Sequence, residues 1–174
     1  LAVMNRLVKA SGNNVVGCND DLKKILFVCT GNTCRSPMAE AFFNDALKQN
    51  INRIPEYSAS SAGISALPGF PASEYSKQIL KEAWGIDISD HRASAISYND
   101  IKNAHLVLAM EKRHKDILTR EFPEYANKIY TLNEFVSGKN IPSDIRDPFG
   151  GSLQHYKQCA EQIYSAIQNL IDML

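Results

Sequence analysis

The sequence has no excess of charge of either sign and no long apolar run. Its 19 Lys and Arg residues are balanced by 19 Asp and Glu residues, so the formal net charge is zero. A neutral chain gives no indication of a nucleic-acid or anionic-membrane partner. No apolar run approaches the roughly 20 residues of a membrane span, and no basic start followed by an apolar stretch indicates a signal peptide. We therefore expect neither nucleic acid nor membrane among the partners.

Cysteine is scarce, and its spacing argues against two kinds of site. The four cysteines are Cys18, Cys29, Cys34 and Cys159. They form neither the framework of a disulfide-rich domain nor the paired spacing of a zinc site, and there is no His/carboxylate cluster. The sequence therefore predicts no metal, no cofactor, and a reduced, cytoplasmic setting. With 174 residues, 44% of them hydrophobic, the chain is long enough for one core.

The most informative segment is residues 29–40, Cys-Thr-Gly-Asn-Thr-Cys-Arg-Ser-Pro-Met-Ala-Glu. Residues 24–28 before it are a short apolar run that favours a strand, and residues 36–37 begin a helical pattern. Cys29 therefore lies where a buried strand ends, and Arg35 follows six positions later. A thiol and an arginine at this spacing, on a strand–loop–helix unit, indicate a phosphate-binding site with a nucleophile.

The residue types in this loop suit a phosphate. The predicted phosphate-binding loop contains Thr30, Gly31, Asn32, Thr33, Cys34 and Ser36. Backbone N–H groups of small residues turn inward as an anion-binding nest, and the following helix adds its N-terminal dipole. Ser36 is the expected N-cap of this helix and Pro37 its expected first residue. Arg35 offers a planar fork of donors, and the same field stabilises a thiolate. Cys29 is the predicted nucleophile; the alternative is a small buried residue in a plain turn.

The rest of the sequence alternates between strand and helix patterns. Predicted strands cover about 24–29, 57–61, 106–110 and 128–132, and predicted helices about 37–49, 72–84, 112–121 and 156–174. This alternation predicts a three-layer α/β fold with a mostly parallel sheet and helices on both faces. In such sheets ligands bind beyond the carboxyl ends of the strands, where Cys29 lies. Residues 1–22 are irregular and are predicted to be an N-terminal extension of unknown role, before a domain over 23–174.

From about residue 23 onward, the chain resembles the low-molecular-weight protein tyrosine phosphatase family. The resemblance rests on the loop, on Ser61-Ala62-Gly63, on His91-Arg92-Ala93, on 104–110 as the third strand, and on Asp147-Pro148-Phe149-Gly150-Gly151. Within the family, a loop threonine paired with Asp-Pro-Phe-Gly-Gly is most similar to the bacterial protein-arginine phosphatases. The resemblance implies a four-stranded parallel sheet, a phosphate-binding loop after the first strand, and catalysis without a metal.

The resemblance also implies roles for residues outside the loop. Asp147 is the expected general acid, which then activates water as a base; the alternatives are a plain turn residue and Asp144 as the acid. Phe149 resembles an aromatic wall of the substrate pocket, or is a core or rim residue. Thr33, where tyrosine phosphatases of the family usually have isoleucine, is expected to favour a polar guanidinium over a phenyl ring. His91 is expected to support the loop through hydrogen bonds.

Two further expectations concern regulation and function. Because Cys34 lies in the same tight loop as Cys29, oxidation is expected to form a reversible Cys29–Cys34 disulfide; otherwise Cys34 is only a small buried residue. The preferred function is a protein-arginine phosphatase acting on phosphoarginine in proteins and opposing a protein-arginine kinase. The alternatives are a tyrosine phosphatase acting on phosphotyrosine, a thiol-dependent arsenate reductase, and a silent phosphate-binding module. No cysteine lies between Cys34 and Cys159 to relay electrons, which argues against the reductase.

Overall fold

The computed structural model describes residues 22–50, 54–138 and 141–174. Within these ranges strands and helices alternate along the chain. The strands are β1 (Lys23–Cys29), β2 (Tyr57–Gly63), β3 (Leu106–Ala109) and β4 (Ile129–Thr131). The helices are α1 (Arg35–Gln49), α2 (Glu74–Trp84), α3 (Tyr98–Asn103), α4 (Lys112–Glu121), α5 (Leu132–Ser137) and α6 (Leu153–Met173), with a 3₁₀ helix over Pro123–Lys128. The predicted extension over 1–22 lies outside the described residues except for Leu22.

The sheet has four parallel strands in the described part of the chain, in the order β2-β1-β3-β4. The central strand β1 is buried on both faces, as its apolar run predicts. Ile25, Phe27 and Cys29 belong to one core cluster with α1, α2, α5 and α6. Leu26 and Val28, on the opposite face, belong to a second cluster with α3 and α4. The predicted three-layer α/β fold is therefore confirmed.

The carboxyl ends of β1 and β2 lie side by side and position the loop after β1. Cys29 pairs in register with Gly63. Beyond this pair, the N–H of Ile64 donates to the carbonyl of Cys29 (3.0 Å), and the N–H of Ser65 donates to the carbonyl of Thr30 (2.9 Å). A Cβ atom on Gly63 would lie only 2.5 Å from the Thr30 carbonyl oxygen, so this close approach of two backbones requires glycine.

The four helices predicted from periodicity are confirmed, with small shifts at their ends. The apolar face of α6 is buried as expected, at Tyr156, Ala160, Ile163, Ile167 and Leu170. The short elements α3, α5 and the 3₁₀ helix, of 6 residues each, were not predicted, because so few residues show no periodicity. Capping boxes begin α3 and α5 and were the available signal. None of the described helices is both long and apolar enough to cross a membrane.

The start of α1 corrects one expectation. The helix begins at Arg35, so the prediction of Ser36 as N-cap and Pro37 as first helical residue was wrong. Cys34 occupies the cap position and makes no side-chain capping bond. Pro37 still lies in the first turn, where a missing N–H costs no intrahelical bond. The Ser36 hydroxyl does not cap the helix because it faces the loop instead, 2.9 Å from the sulfur of Cys29.

Candidate active site

The sulfur of Cys29 is surrounded by donors from its own loop. The N–H of Asn32 donates to Cys29 Sγ over 3.3 Å, and Ser36 Oγ lies 2.9 Å from the same sulfur. Ser36 Oγ also accepts a hydrogen bond from Asn32 Nδ2 (2.9 Å), so its own hydrogen is available to the sulfur. Two hydrogen-bonding groups of the loop are therefore directed at one buried sulfur.

Asn32 fixes the shape of the loop. It is fully buried and has a φ of 55°, in the left-handed region that asparagine tolerates better than most residues. Its Nδ2 donates to Ser61 Oγ (2.9 Å), and its Oδ1 accepts from the N–H of Ser94 (2.8 Å). His91 Nε2 lies 2.8 Å from the Asn32 carbonyl oxygen. The loop is therefore held from β2 and from the segment after α2, and His91 lies where a supporting residue was expected.

Arg35 is buried, and its guanidinium is anchored through Nη1 while Nε has no partner in the described residues. Nη1 donates to the carbonyl of Ile145 (2.9 Å) and forms an ion pair with Glu111. Nη2 lies 3.1 Å from Asp147 Oδ2, and Nε is buried without a hydrogen-bond partner in the described residues. A buried unpaired donor is uncommon and requires an explanation. The Nε–Nη2 edge has the fork geometry that can bind an oxyanion through two parallel hydrogen bonds.

A cavity of about 210 Å³ lies against this loop. Its walls are Cys29, Thr30, Gly31, Thr33, Cys34, Arg35, Asp147 and Phe149. The cavity therefore brings the segment after β1 together with the Asp-Pro segment, which is more than a hundred residues away in the sequence. The predicted nucleophile, phosphate-binding arginine, general acid and specificity residues all border it.

The Asp-Pro segment forms the outer wall. Asp147 Oδ1 accepts a hydrogen bond from the N–H of Phe149 (3.2 Å), which leaves Oδ2 for the contact with Arg35. Phe149 is 78% exposed, so it is a rim residue and not part of the core. Asp144, the rival acid, accepts a hydrogen bond from the N–H of Lys112 (2.6 Å) and so caps α4; it does not border the cavity.

Sequence reasoning missed a cluster at the end of β3. Glu111 pairs with Arg35 through Oε1 and with Arg113 through Oε2, the latter at 2.5 Å. Partial burial opposes its charge, but the hydrogen bonds from Arg113 and Arg35 hold the pKa of Glu111 below its usual range. Burial, and next the charge of Arg35, lower the pKa of His114 to about 4, so its ring is neutral at pH 7. His114 Nε2 lies 2.9 Å from Thr30 Oγ1. The available signal was position, because these residues follow a parallel strand at its carboxyl end.

The second loop cysteine is enclosed by hydroxyl groups. Cys34 Sγ donates to Ser73 Oγ over 3.5 Å and lies 3.5 Å from the hydroxyl of Tyr156. Cys29 and Cys34 are free thiols that border the same cavity. Burial raises the pKa of Cys159 to about 12, so that thiol is inert. Cys18 lies outside the described residues.

Within residues 22–50, 54–138 and 141–174, no three His, Cys, Asp or Glu side chains group as a set of metal ligands. The charges that border the cavity come from Arg35, Asp147 and the loop itself.

Comparisons with known proteins show which family the sequence matches. The family described as low molecular weight phosphotyrosine protein phosphatase matches residues 24–174. The chain belongs to this family. A protein-arginine-phosphatase of Geobacillus stearothermophilus is 42% identical over 151 residues, covering 87% of this chain and 95% of the relative. A low molecular weight protein-tyrosine-phosphatase of Staphylococcus epidermidis is 36% identical over 152 residues, covering 87% and 96%.

A solved structure gives the same result for the fold. The crystal structure of a low molecular weight protein tyrosine phosphatase from T. tengcongensis is 48% identical and has a TM-score of 0.81, covering 87% of this chain and 99% of that one. The low molecular weight phosphatase fold and its loop after β1 are therefore established for this chain. The relative named as an arginine phosphatase and the two named as tyrosine phosphatases have similar sequence identities to it, 42% for the former and 36% and 48% for the latter.

Proposed function

We propose that the protein is a protein-arginine phosphatase, which hydrolyses the P–N bond of phosphoarginine in proteins through a cysteinyl-phosphate intermediate. The observation that carries the proposal is the presence of Thr33 in the cavity wall, in the same cavity as Cys29 and Asp147. Threonine is narrower on one branch than isoleucine and carries a hydroxyl, so it suits a polar, planar guanidinium better than a phenyl ring. The protein-arginine-phosphatase relative supports the same substrate.

The first half of the proposed reaction transfers the phosphoryl group to the enzyme. The phosphate binds to the backbone N–H groups of the loop and to the Nε–Nη2 edge of Arg35, where it takes over the donor that now contacts Asp147. The Cys29 thiolate attacks phosphorus, and an S–P bond forms as the P–N bond breaks. Asp147 gives its proton to the departing guanidine nitrogen, which leaves as the positively charged guanidinium of an unmodified arginine side chain.

The second half releases phosphate. The Asp147 carboxylate takes a proton from a water molecule, whose oxygen attacks phosphorus. The S–P bond breaks, and Cys29 leaves as a thiolate stabilised by the N–H of Asn32 and the hydroxyl of Ser36. Arg35 and the loop N–H groups stabilise the charge on the phosphoryl oxygens in both steps.

The experiment that tests this proposal compares kcat/KM for a phosphoarginine peptide and a phosphotyrosine peptide of the same sequence, with the Cys29→Ser variant as blank. A preference for phosphoarginine of about tenfold or more is expected, which is about 1.4 kcal/mol of differential transition-state stabilisation. A preference for phosphotyrosine would contradict phosphoarginine as the substrate but not the proposed chemistry of the loop. Activity that survives in Cys29→Ser would contradict the covalent mechanism.

A protein tyrosine phosphatase is the second candidate, because the T. tengcongensis and S. epidermidis relatives bear that name. The exposed ring of Phe149 at the cavity rim is compatible with stacking on a phenyl ring. An arsenate reductase has less support, since Cys159, the remaining cysteine after the loop, is buried in α6 with a raised pKa. A silent phosphate-binding module has less support too, because Cys29, Arg35 and Asp147 border one cavity.

The proposed substrates are phosphorylated proteins, and a protein-arginine kinase is the enzyme that would supply them. A thiolate nucleophile requires a reducing environment, which supports the cytoplasm as the proposed location.

A further inference from the structure

A second arginine, Arg113, lies beside the cavity but has no part in the proposed chemistry. It is the second residue of α4, which begins at the carboxyl edge of the sheet shortly after β3. Its Nη2 donates to Thr30 Oγ1 over 2.9 Å, and Thr30 is a wall residue of the cavity. Arg113 is therefore one side chain away from the cavity.

The guanidinium of Arg113 is held in place but retains free donors. Its Nε donates to Glu111 Oε2 over 2.5 Å, so two atoms of the planar group are fixed by the protein. Nη1 and the second hydrogen of Nη2 have no partner among the described residues. The side chain is 55% exposed, so these donors are accessible from solvent. A guanidinium that is already oriented loses less conformational entropy when it binds a carboxylate.

Glu111 pairs directly with Arg113, and the charges of Asp147 and Asp144 also act on it. Glu111 carries one negative charge and shares it between two arginines, through Oε1 with Arg35 and through Oε2 with Arg113. The neighbouring cation Lys112 differs, because its Nζ forms an ion pair of its own with Asp116 at 2.7 Å. The N-terminus of α4 adds positive potential at the same place.

We propose that Arg113 forms a subsite that binds an acidic side chain of the protein substrate, close in sequence to the phosphorylated residue. The inference rests on the proposed function in one respect, that the substrate is a phosphorylated protein. It adds the chemistry of the residues that flank the phosphorylated one, and it applies to phosphoarginine and to phosphotyrosine alike. If Arg113 only balances the charge of Glu111, its removal changes activity on all substrates by the same factor.

The test measures a ratio within each enzyme variant. Phosphopeptides carry Glu or Gln at each flanking position in turn, in a phosphoarginine and a phosphotyrosine series, and kcat/KM is measured for each. For the wild type, Glu is expected to raise kcat/KM about threefold to fivefold over Gln at the best position, the size of a partly exposed ion pair. In Arg113→Gln this ratio is expected to fall to about one. Each variant is its own reference, so a uniform loss of activity cancels.

Two further variants separate this subsite from a general charge effect. Arg120→Gln removes the same charge from the same helix, at an exposed residue that pairs with Glu121, and is expected to retain the wild-type ratio. Arg113→Lys keeps the charge without the planar fork and is expected to give an intermediate ratio.

The outcomes that contradict the subsite differ from the outcome that contradicts the proposed function. A wild-type ratio near one at every position, or a ratio that persists in Arg113→Gln, overturns the subsite while the peptides are still hydrolysed. If the wild type hydrolyses neither peptide series, the proposed function is overturned, and the subsite with it.

Discussion

Asp147 Oδ2 lies 3.1 Å from Arg35 Nη2, so the carboxylate and the guanidinium of the proposed reaction contact each other in the same cavity. Arg35 cannot turn away from the cavity, because Nη1 is held by Glu111 and by the carbonyl of Ile145. In the proposed reaction, a phosphoryl group that takes over the Nη2 donor releases Asp147 Oδ2 toward the leaving group. We therefore expect substrate binding to be coupled to the placement of the proposed proton donor.

Replacing Asp147 with Asn removes the proposed proton donor. The kcat for a phosphoarginine peptide is expected to fall by about 10²–10⁴. The loss is expected to be smaller for an aryl phosphate whose leaving group departs without a proton. The matched control is Asp144→Asn, which keeps an acceptor for the N–H of Lys112 and is expected to retain activity. Steady-state kinetics on all three enzymes checks both expectations; the opposite pattern would make Asp144 the acid.

Replacing Thr33 with Ile is expected to shift specificity from phosphoarginine toward phosphotyrosine. An ethyl group replaces the hydroxyl, so the side chain gains one carbon that fills part of the 210 Å³ cavity. One methylene in a pocket changes specificity by about 10-fold to 200-fold, so the ratio of the two kcat/KM values is expected to change by at least tenfold. Thr33→Val, which is isosteric but has no hydroxyl, tests whether shape or polarity is responsible. An unchanged ratio of the two kcat/KM values in Thr33→Ile would contradict a role of Thr33 in substrate specificity.

Glu111 is a positioning residue for Arg35. Removing its carboxylate in Glu111→Ala leaves Nη1 with only the Ile145 carbonyl. A hydrogen bond to a charged group contributes about 1.5–3 kcal/mol, so kcat/KM is expected to fall by roughly tenfold to a hundredfold. Glu111→Gln keeps an acceptor and is expected to recover part of the loss, mainly in kcat. Glu121→Ala, at the exposed C-terminal end of α4, is the control. Equal activity of Glu111→Ala and wild type would exclude this role.

Cys34 is expected to protect Cys29 from irreversible oxidation. Peroxide converts a thiolate to a sulfenic acid, which a neighbouring thiol converts to a disulfide that thiols reduce. The wild type is therefore expected to regain activity when dithiothreitol follows peroxide, whereas Cys34→Ser is expected to remain inactive. Cys159→Ser controls for the third buried thiol. Full recovery of Cys34→Ser would contradict a Cys29–Cys34 disulfide.

The buried His114 makes stability depend on pH. Its pKa of about 4 in the folded protein lies below the value of 6.5 for a free histidine. Only the unfolded chain therefore takes up this proton between those two values, and the free energy of unfolding falls as pH drops from 6.5 toward 4. The loss is at most about 3 kcal/mol from this group. Urea unfolding at several pH values checks this: His114→Gln is expected to lose less stability than wild type over the same range. Parallel curves would contradict a neutral buried His114.

The loop was predictable from the sequence for a physical reason, whereas the role of the Asp-Pro segment was predicted from the family resemblance. A buried strand, a short loop and a helix start are local features, and the spacing from Cys29 to Arg35 lies within a single strand–loop–helix unit. Helix α6 was also predictable from the sequence, because its apolar residues repeat with the helical period. The role of the Ser36 hydroxyl was not predictable. A hydroxyl near a helix start can bond to the helix or to the loop, and local sequence does not decide between them.

Only the tertiary structure decided the remaining relationships. Glu111, Arg113 and His114 meet the loop because β3 lies next to β1 in the sheet, and strand order is not encoded in any local pattern. For the same reason Asp144 and Asp147, three positions apart, have different surroundings: one caps α4 and the other contacts Arg35. The sequence by itself determined the loop after β1 and the fold class, through local periodicity and spacing. The partners of Arg35, and the free edge of Arg113, depend on which distant segments the packed sheet brings within hydrogen-bond distance.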